Sequence, residues 1–238
     1  MYDFTNQVVV ITGAAGNLGS ATAWMFYKAG GKLALVDRSE GRLQRQFKEL
    51  VASQNYYFAD RIDLTNPESV SRMVAALIQH FGKIDVIVNT VGGFRGGKPV
   101  HDTPMATWDF LIDLNARTIL NACQAIIPHM IQQTYGRIIN VAARKGLKGD
   151  ANLGAYSASK AAVIRLTESM SAELKKYNIN ANCVIPGTID TPQNREAMPG
   201  ADFNRWVSPE KIAEVIMFLA SPAASAINGA AIPVYGLS

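Results

Sequence analysis

A chain of 238 residues, 48% of them hydrophobic, is long enough for one domain with a substantial core. The net charge of +4 is scattered, with no long Lys/Arg run, which argues against a nucleic-acid surface. Two cysteines outside any Cys-x-x-Cys pair and three dispersed histidines argue against a metal site, and both cysteines sit in apolar segments as small core residues. No charged-then-apolar leader opens the chain and no apolar stretch would span a membrane, so a reducing, cytoplasmic setting is expected, with no membrane partner.

Gln7–Thr12 (QVVVIT) reads as a buried strand, followed by a helix over Leu18–Ala29 that Gly30-Gly31 stops. Lys32–Asp37 is the second strand, and Ser39 is placed to cap a helix running to about Val51. Tyr56–Ile62 is the third strand. Asn66-Pro67 opens a helix to Phe81, with Pro67 in its first turn. Ile84–Asn89 is strand four, and a Gly-rich loop follows over Gly92–Gly97. Pro104–Gln133 reads as mostly one long helix, Gly136–Val141 as strand five, and about Asn152–Tyr177 as a second long helix. Ile179–Ile185 is strand six. Thr191–Val207, with Pro192, Pro199 and Gly200, reads as irregular and as a substrate lid. Pro209–Ala220 is the last helix and Ala230–Val234 a short last strand. This alternation predicts an α/β class: a single-domain Rossmann fold over residues 1–238, a doubly wound parallel sheet of about seven strands with helices on both faces. Ligands in such sheets sit at the carboxyl ends of the strands, at the switch point.

Strand one runs into Thr12-Gly13-Ala14-Ala15-Gly16-Asn17-Leu18-Gly19, which opens a helix. Glycines there let the backbone turn tightly and approach a pyrophosphate, which the helix N-terminus attracts. Asp37 ends strand two, where a carboxylate accepts hydrogen bonds from adenosine ribose hydroxyls. It would repel a 2′-phosphate, so NAD is preferred and NADP remains possible, with Arg38 beside it softening the preference. Asp63 stands either at the adenine edge or as a cap before the helix at Asn66-Pro67. Tyr156 and Lys160 lie four apart and share one helix face. A free tyrosine has a pKa near ~10, and a fixed cation would pull it down. The alternative is an ordinary surface pair.

With these motifs in place, the chain resembles the short-chain dehydrogenase/reductase family over nearly its whole length. The family's Thr-Gly-x3-Gly-x-Gly matches Thr12 to Gly19, except that Asn17 stands in place of the middle glycine, with Gly16 before it; an Asn can take the left-handed conformation such a turn needs. Asn89-Thr90-Val91-Gly92 partly matches the run after strand four. Asn115 matches the family's relay asparagine, and Tyr156 with Lys160 its Tyr-x3-Lys pair. Pro186-Gly187-Thr188-Ile189-Asp190-Thr191 matches the segment that binds the nicotinamide carboxamide through Ile189 and Thr191. Ser208-Pro209-Glu210 and Phe218-Leu219-Ala220-Ser221 resemble its last helix. The resemblance implies an oxidoreductase acting on a small molecule. Tyr156 is its general acid or base, Lys160 holds the nicotinamide ribose and lowers the Tyr156 pKa, and Asn115 holds a water linking Lys160 to solvent. It also implies a homodimer or homotetramer built through the two long helices.

The family's serine, thirteen residues before the tyrosine, is Ala143 here. Loss of one such donor typically costs ~10²–10³ in rate. Either the protein is a non-catalytic NAD-binding sensor or scaffold, or its substrate does not need the serine. The chain is also similar, over about a third of its length, to dihydropteridine reductases, which have alanine there too. That similarity lies in Ile189–Arg195, Met198–Phe203, Trp206 and the Gly92–Gly97 loop. It implies an already electron-poor acceptor such as a quinonoid dihydropterin, with an ordinary carbonyl or alcohol enzyme as the alternative. Phe94, Met198 and Trp206 are candidate walls for a flat ring, with ordinary packing under a loop as the alternative for Trp206, and Arg144 and Lys145 either face an anionic substrate or form a solvated pair.

Overall fold

Apolar runs form the strands β1 (Val8–Thr12), β2 (Lys32–Val36), β3 (Tyr56–Ala59), β4 (Val86–Asn89), β5 (Gly136–Val141), β6 (Ile179–Pro186) and β7 (Ala231–Val234) in the computed structural model, which describes residues 2–51 and 53–238. β1, β4, β5 and β6 are buried along their whole length. Strands covered on both faces need no polar alternation, hence the continuous apolar runs in the sequence. All seven pair in parallel, in the order β3-β2-β1-β4-β5-β6-β7.

The helices are α1 (Asn17–Lys28), α2 (Arg42–Gln46), α3 (Pro67–Phe81), α4 (Met105–Ile112), α5 (Thr118–Gln132), α6 (Gly154–Leu174), α7 (Pro192–Ala197) and α8 (Pro209–Ala220). Side chains alternate across the sheet. Val9, Ile11, Leu35 and Val88 join Phe26 of α1 and Ile216 of α8 in one core layer. Val10, Val36, Ile87 and Ile138 join Leu77 of α3, Ile126 of α5 and Val163 of α6 in the other. The order reverses between β1 and β4, which end side by side at Thr12 and Asn89, the switch point at which ligands sit in sheets of this kind. Cys123 and Cys183 are free and buried, as the sequence predicts. No helix among the described residues is long and apolar enough to cross a membrane.

Four expectations need correction. The helix after strand two is one short helix and a separate 3₁₀ turn at Lys48–Leu50. It begins not at a Ser39 cap but after Gly41, whose φ is +65°, and Phe47 leaves helical geometry at its end. β3 stops at Ala59, because Arg61 is left-handed with φ +57° and turns the chain back to Asp37. The long helix over 104–133 is interrupted by a π-helical turn at Asp113–Arg117. Finally, the irregular segment contains α7, with Thr191 capping the Asn194 N–H at 3.2 Å and Pro192 in the first turn.

Candidate active site

The site begins where β1 ends. The chain turns through Gly13, whose φ of +66° is the left-handed conformation that favours glycine. At Gly19 a Cβ would lie 2.2 Å from the Gly13 carbonyl oxygen, so α1 crosses this loop in backbone contact. Gly16 precedes α1 in extended geometry, with no side-chain cap and no acid in the first turn. The first N–H groups of α1 are therefore not claimed by a capping side chain, and such a turn suits a phosphate. Asn17 is the first helical residue and is not left-handed, contrary to expectation; the left-handed residue of the loop is Gly13. The Asn17 amide reaches out instead and donates to Gln193 Oε1 at 2.8 Å, joining this loop to α7. Leu18 is a core residue.

Asp37 follows β2 and is nearly buried. Its carboxylate accepts from the Ala15 N–H at 3.3 Å and the Ser39 N–H at 2.9 Å, which holds it against the glycine loop. Asp63 accepts from the Thr65 N–H at 2.9 Å and the Thr65 hydroxyl at 2.7 Å. These bonds hold its pKa below the usual carboxylate range, with a smaller pull from Arg38. The cap of α3 is Asn66, which accepts from the Ser69 N–H at 2.9 Å.

The second wall joins the π-helical turn, the loop after β4 and the start of α6. Asn115 is fully buried in that turn. Its Oδ1 accepts from the Gly93 N–H at 2.9 Å, and its Nδ2 donates to the Gly93 carbonyl and the Ser159 hydroxyl, each at 3.0 Å. Lys160, also buried, donates from Nζ to the Val141 carbonyl at 3.0 Å. A Cβ on Gly92 would lie 3.0 Å from both Asn115 Oδ1 and Lys160 Nζ, so the glycine marks where the three meet. Tyr156 stands one turn before Lys160 on α6 and receives the Phe94 ring edge-on, with centroids 4.9 Å apart.

Burial sets the charges here. Desolvation raises the Tyr156 phenol to about 12 and lowers the Lys160 ammonium to about 8. Burial is the cause of both shifts, since each charged form loses its water.

Ala143 lies just beyond β5 in extended geometry, nearly buried, and offers only a methyl group. The cations after it do not face an open anion site. Arg144 donates to the Ser238 carbonyl at 2.9 Å and lies over the Tyr235 ring, and Lys145 pairs with Asp150.

The third wall follows β6, which ends at Pro186. The Gly187 N–H donates to the Val234 carbonyl at 3.2 Å. Ile189 bridges Val207, and its carbonyl accepts from Asn194 Nδ2 at 2.8 Å, so both ends of the lid segment are tied together. The Thr191 hydroxyl is the cap of α7. In and beside the segment 191–207, Arg195 pairs with Asp190 at 2.6 and 2.7 Å and lies over Phe203, which packs on Trp206 at 4.8 Å; Met198 stays 40% exposed.

Asn89 is not exposed at the switch point. It is buried, donates to Asn140 Oδ1 at 2.9 Å, and accepts from the Thr12 hydroxyl at 3.4 Å. Asn140 in turn donates to the Thr167 hydroxyl at 2.9 Å. Sequence reasoning missed this chain and the part played by Ser159. A polar Asn140 following the apolar pair Ile138-Ile139 in a buried strand was the available signal.

Residues 7–201 match the short chain dehydrogenase family. The chain is 33% identical to the 3-oxoacyl-(acyl-carrier-protein) reductase FabG of Thermotoga maritima, over 97% of this chain and 96% of that protein. It is 32% identical to the 2-(R)-hydroxypropyl-CoM dehydrogenase of Xanthobacter autotrophicus, over 97% and 98%. The structure of an NAD⁺-bound xylitol dehydrogenase superposes with a TM-score of 0.87 at 30% identity, over 98% of this chain and 99% of that one. A parallel sheet that places a glycine turn, a buried lysine and a tyrosine at its carboxyl edge, with these relatives along its whole length, makes this chain a member of the short-chain dehydrogenase family.

Proposed function

We propose that the protein is an NAD-dependent oxidoreductase that reduces a carbonyl or another electron-poor acceptor, with Tyr156 as proton donor. The observation that carries this is the pair itself: Tyr156 stands one helical turn from the buried Lys160, whose Nζ is held on the Val141 carbonyl at 3.0 Å. At neutral pH a phenol carries its proton, so it can serve as the donor when the acceptor is reduced.

The turn over Gly13–Gly19 and the first turn of α1 would hold the pyrophosphate, and Asp37 the ribose hydroxyls. Lys160, Gly92, and the Pro186–Thr191 segment would hold the nicotinamide half. Gly19 lets α1 close against the Gly13 backbone, and the uncapped first N–H groups of α1 fit such a group. The nicotinamide supplies the hydride. Tyr156 then donates its proton to the substrate oxygen or nitrogen. Lys160 holds positive charge beside it, and Asn115 fixes the loop that carries Gly92 and Gly93. Phe94 shields the phenol from water. Asp37 favours NAD over NADP, since a 2′-phosphate would meet a nearly buried carboxylate already resting on the glycine loop. The exposed Met105, Trp108 and Leu120 of α4 and α5 support assembly of two or four copies through the long helices, to be checked by light scattering.

Stopped-flow oxidation of NADH and of NADPH against carbonyls, quinones and a quinonoid dihydropterin tests the reading. Wild type should oxidise NADH with at least one acceptor, and Tyr156→Phe should lose about 10²–10⁴-fold. If both are equally inert while NADH still binds, the sensor reading replaces this one. Ala143 favours a second reading within the same chemistry, the quinonoid dihydropterin itself, whose electron-poor ring needs less help from a donor. A rate on that acceptor no higher than on a plain ketone removes it.

A further inference from the structure

A second cleft, of about 330 Å³, opens beside Tyr156. One wall is the loop after β4, carrying Arg95, Gly96 and Lys98; the other is Asn152–Ala155, which leads directly into Tyr156. The two walls are fixed to each other. The Gly97 N–H donates to the Asn152 carbonyl at 2.9 Å, and a Cβ on Gly96 would lie 2.4 Å from Leu153. Asn152 holds a left-handed φ of +61°. The cleft and the catalytic phenol also share a wall, because Phe94 of the same loop touches the Tyr156 ring.

The lining carries two cations and no acid. Among the described residues, neither Arg95 nor Lys98 makes an ion pair, while Asp150 is paired with Lys145. The Arg95 guanidinium lies 3.5 Å from the Phe110 ring centroid. Stacking occupies its face and fixes its plane, and the N–H donors along its edge remain available for an anion. We propose that this cleft is an anion subsite and that the substrate carries a carboxylate or phosphate group bound by Arg95 and Lys98 while its reacting group lies at Tyr156. The substrate part rests on the oxidoreductase reading. It also answers the absence of a hydroxyl at residue 143: anchoring a remote group orients the reacting atom without a donor beside it.

Calorimetric titration of phenyl phosphate, benzoate and benzyl alcohol into wild type and the Arg95→Gln/Lys98→Gln variant tests the subsite. Both side chains are exposed, so the variant keeps the core intact. At least one anion should bind about tenfold or more tighter than benzyl alcohol, weaken with salt, and lose that advantage in the variant. The tighter of the two anions identifies phosphate or carboxylate as the natural group. Equal binding of all three probes, no binding of either anion at millimolar concentration, or an unchanged variant would overturn the subsite. With NADH, 4-carboxybenzaldehyde or 4-formylphenyl phosphate should exceed benzaldehyde about tenfold in kcat/KM in wild type alone. Anion binding without that preference overturns the substrate assignment. Anion binding with no acceptor reduced at all sinks the oxidoreductase reading, and with it the substrate assignment, and leaves the subsite standing.

Discussion

At the scale of single residues, the proposed chemistry turns on Ala143 and Lys160. Restoring the hydroxyl with Ala143→Ser should raise kcat/KM on plain ketones by up to about 10²-fold, because residue 143 is extended just beyond the carboxyl end of β5, where the family's serine stands. Activity on an already electron-poor acceptor should change little; equal gains on both acceptors would remove the idea that the alanine selects the substrate. Lys160 makes a prediction about stability. Its folded pKa of about 8 lies below the ordinary 10.5 because burial disfavours the charge. Below about pH 8 both folded and unfolded chains hold the proton, and the penalty is fully present. Between about 8 and 10.5 the unfolded chain binds more protons, so stability rises with pH. A shift of that size corresponds to roughly 3 kcal/mol. In urea titrations, the stability of wild type minus that of Lys160→Met should therefore climb across this window. A difference that stays flat would show that the ammonium is not desolvated.

Elements bring those residues together, and they were unevenly legible in the sequence. Asn66-Pro67 and Ser208-Pro209 gave correct helix starts, because a capping side chain and a proline in the first turn are local signals. Thr191-Pro192 carries the same signal for α7, yet the prolines and glycine after it masked so short a helix. The π-helical turn left no mark, since one inserted residue scarcely disturbs the apolar period of a long helix, but it holds Asn115 between Gly93 and Ser159. Tyr156, Lys160 and Asn115 could be read as side chains. The Val141 and Gly93 carbonyls that hold the last two could not, because backbone atoms have no sequence signature. The contact between Asn17 and Gln193 belongs to this scale as well, since it closes α7 onto the glycine loop. Gln193→Ala should loosen the lid, raising the NADH Kd about fivefold and speeding proteolytic cleavage within residues 191–207, as expected for loss of about 1 kcal/mol. Unchanged affinity and cleavage would show that the lid closes without this bond.

Across the whole molecule, the half of the sheet that carries the glycine turn must keep its register with the half that carries the tyrosine. Shape alone fixes the apolar layers, but they contain no feature that selects one alignment at the switch point. The polar chain from Thr12 through Asn89 and Asn140 to Thr167 supplies one, crossing β1, β4 and β5 to reach α6 in the buried interior. A buried amide that loses its partner costs about 1–3 kcal/mol, and a network costs more to break at its centre than at its end. Asn140→Ala removes the partner of the Asn89 amide and one of two partners of the Thr167 hydroxyl, which still donates to the Val163 carbonyl, so it should lower stability by about 2–3 kcal/mol, whereas Thr167→Val should cost about 1 kcal/mol. The double variant should then cost less than the sum of the two, with a coupling near 1 kcal/mol in urea titrations. If the chain also aligns the two halves of the site, Asn140→Ala should weaken NADH binding and slow turnover together, while Thr167→Val affects turnover more than binding, since Thr167 lies on the helix of Tyr156 and Lys160. Strict additivity in stability, with both site properties intact, would mean that the apolar layers hold the alignment by themselves.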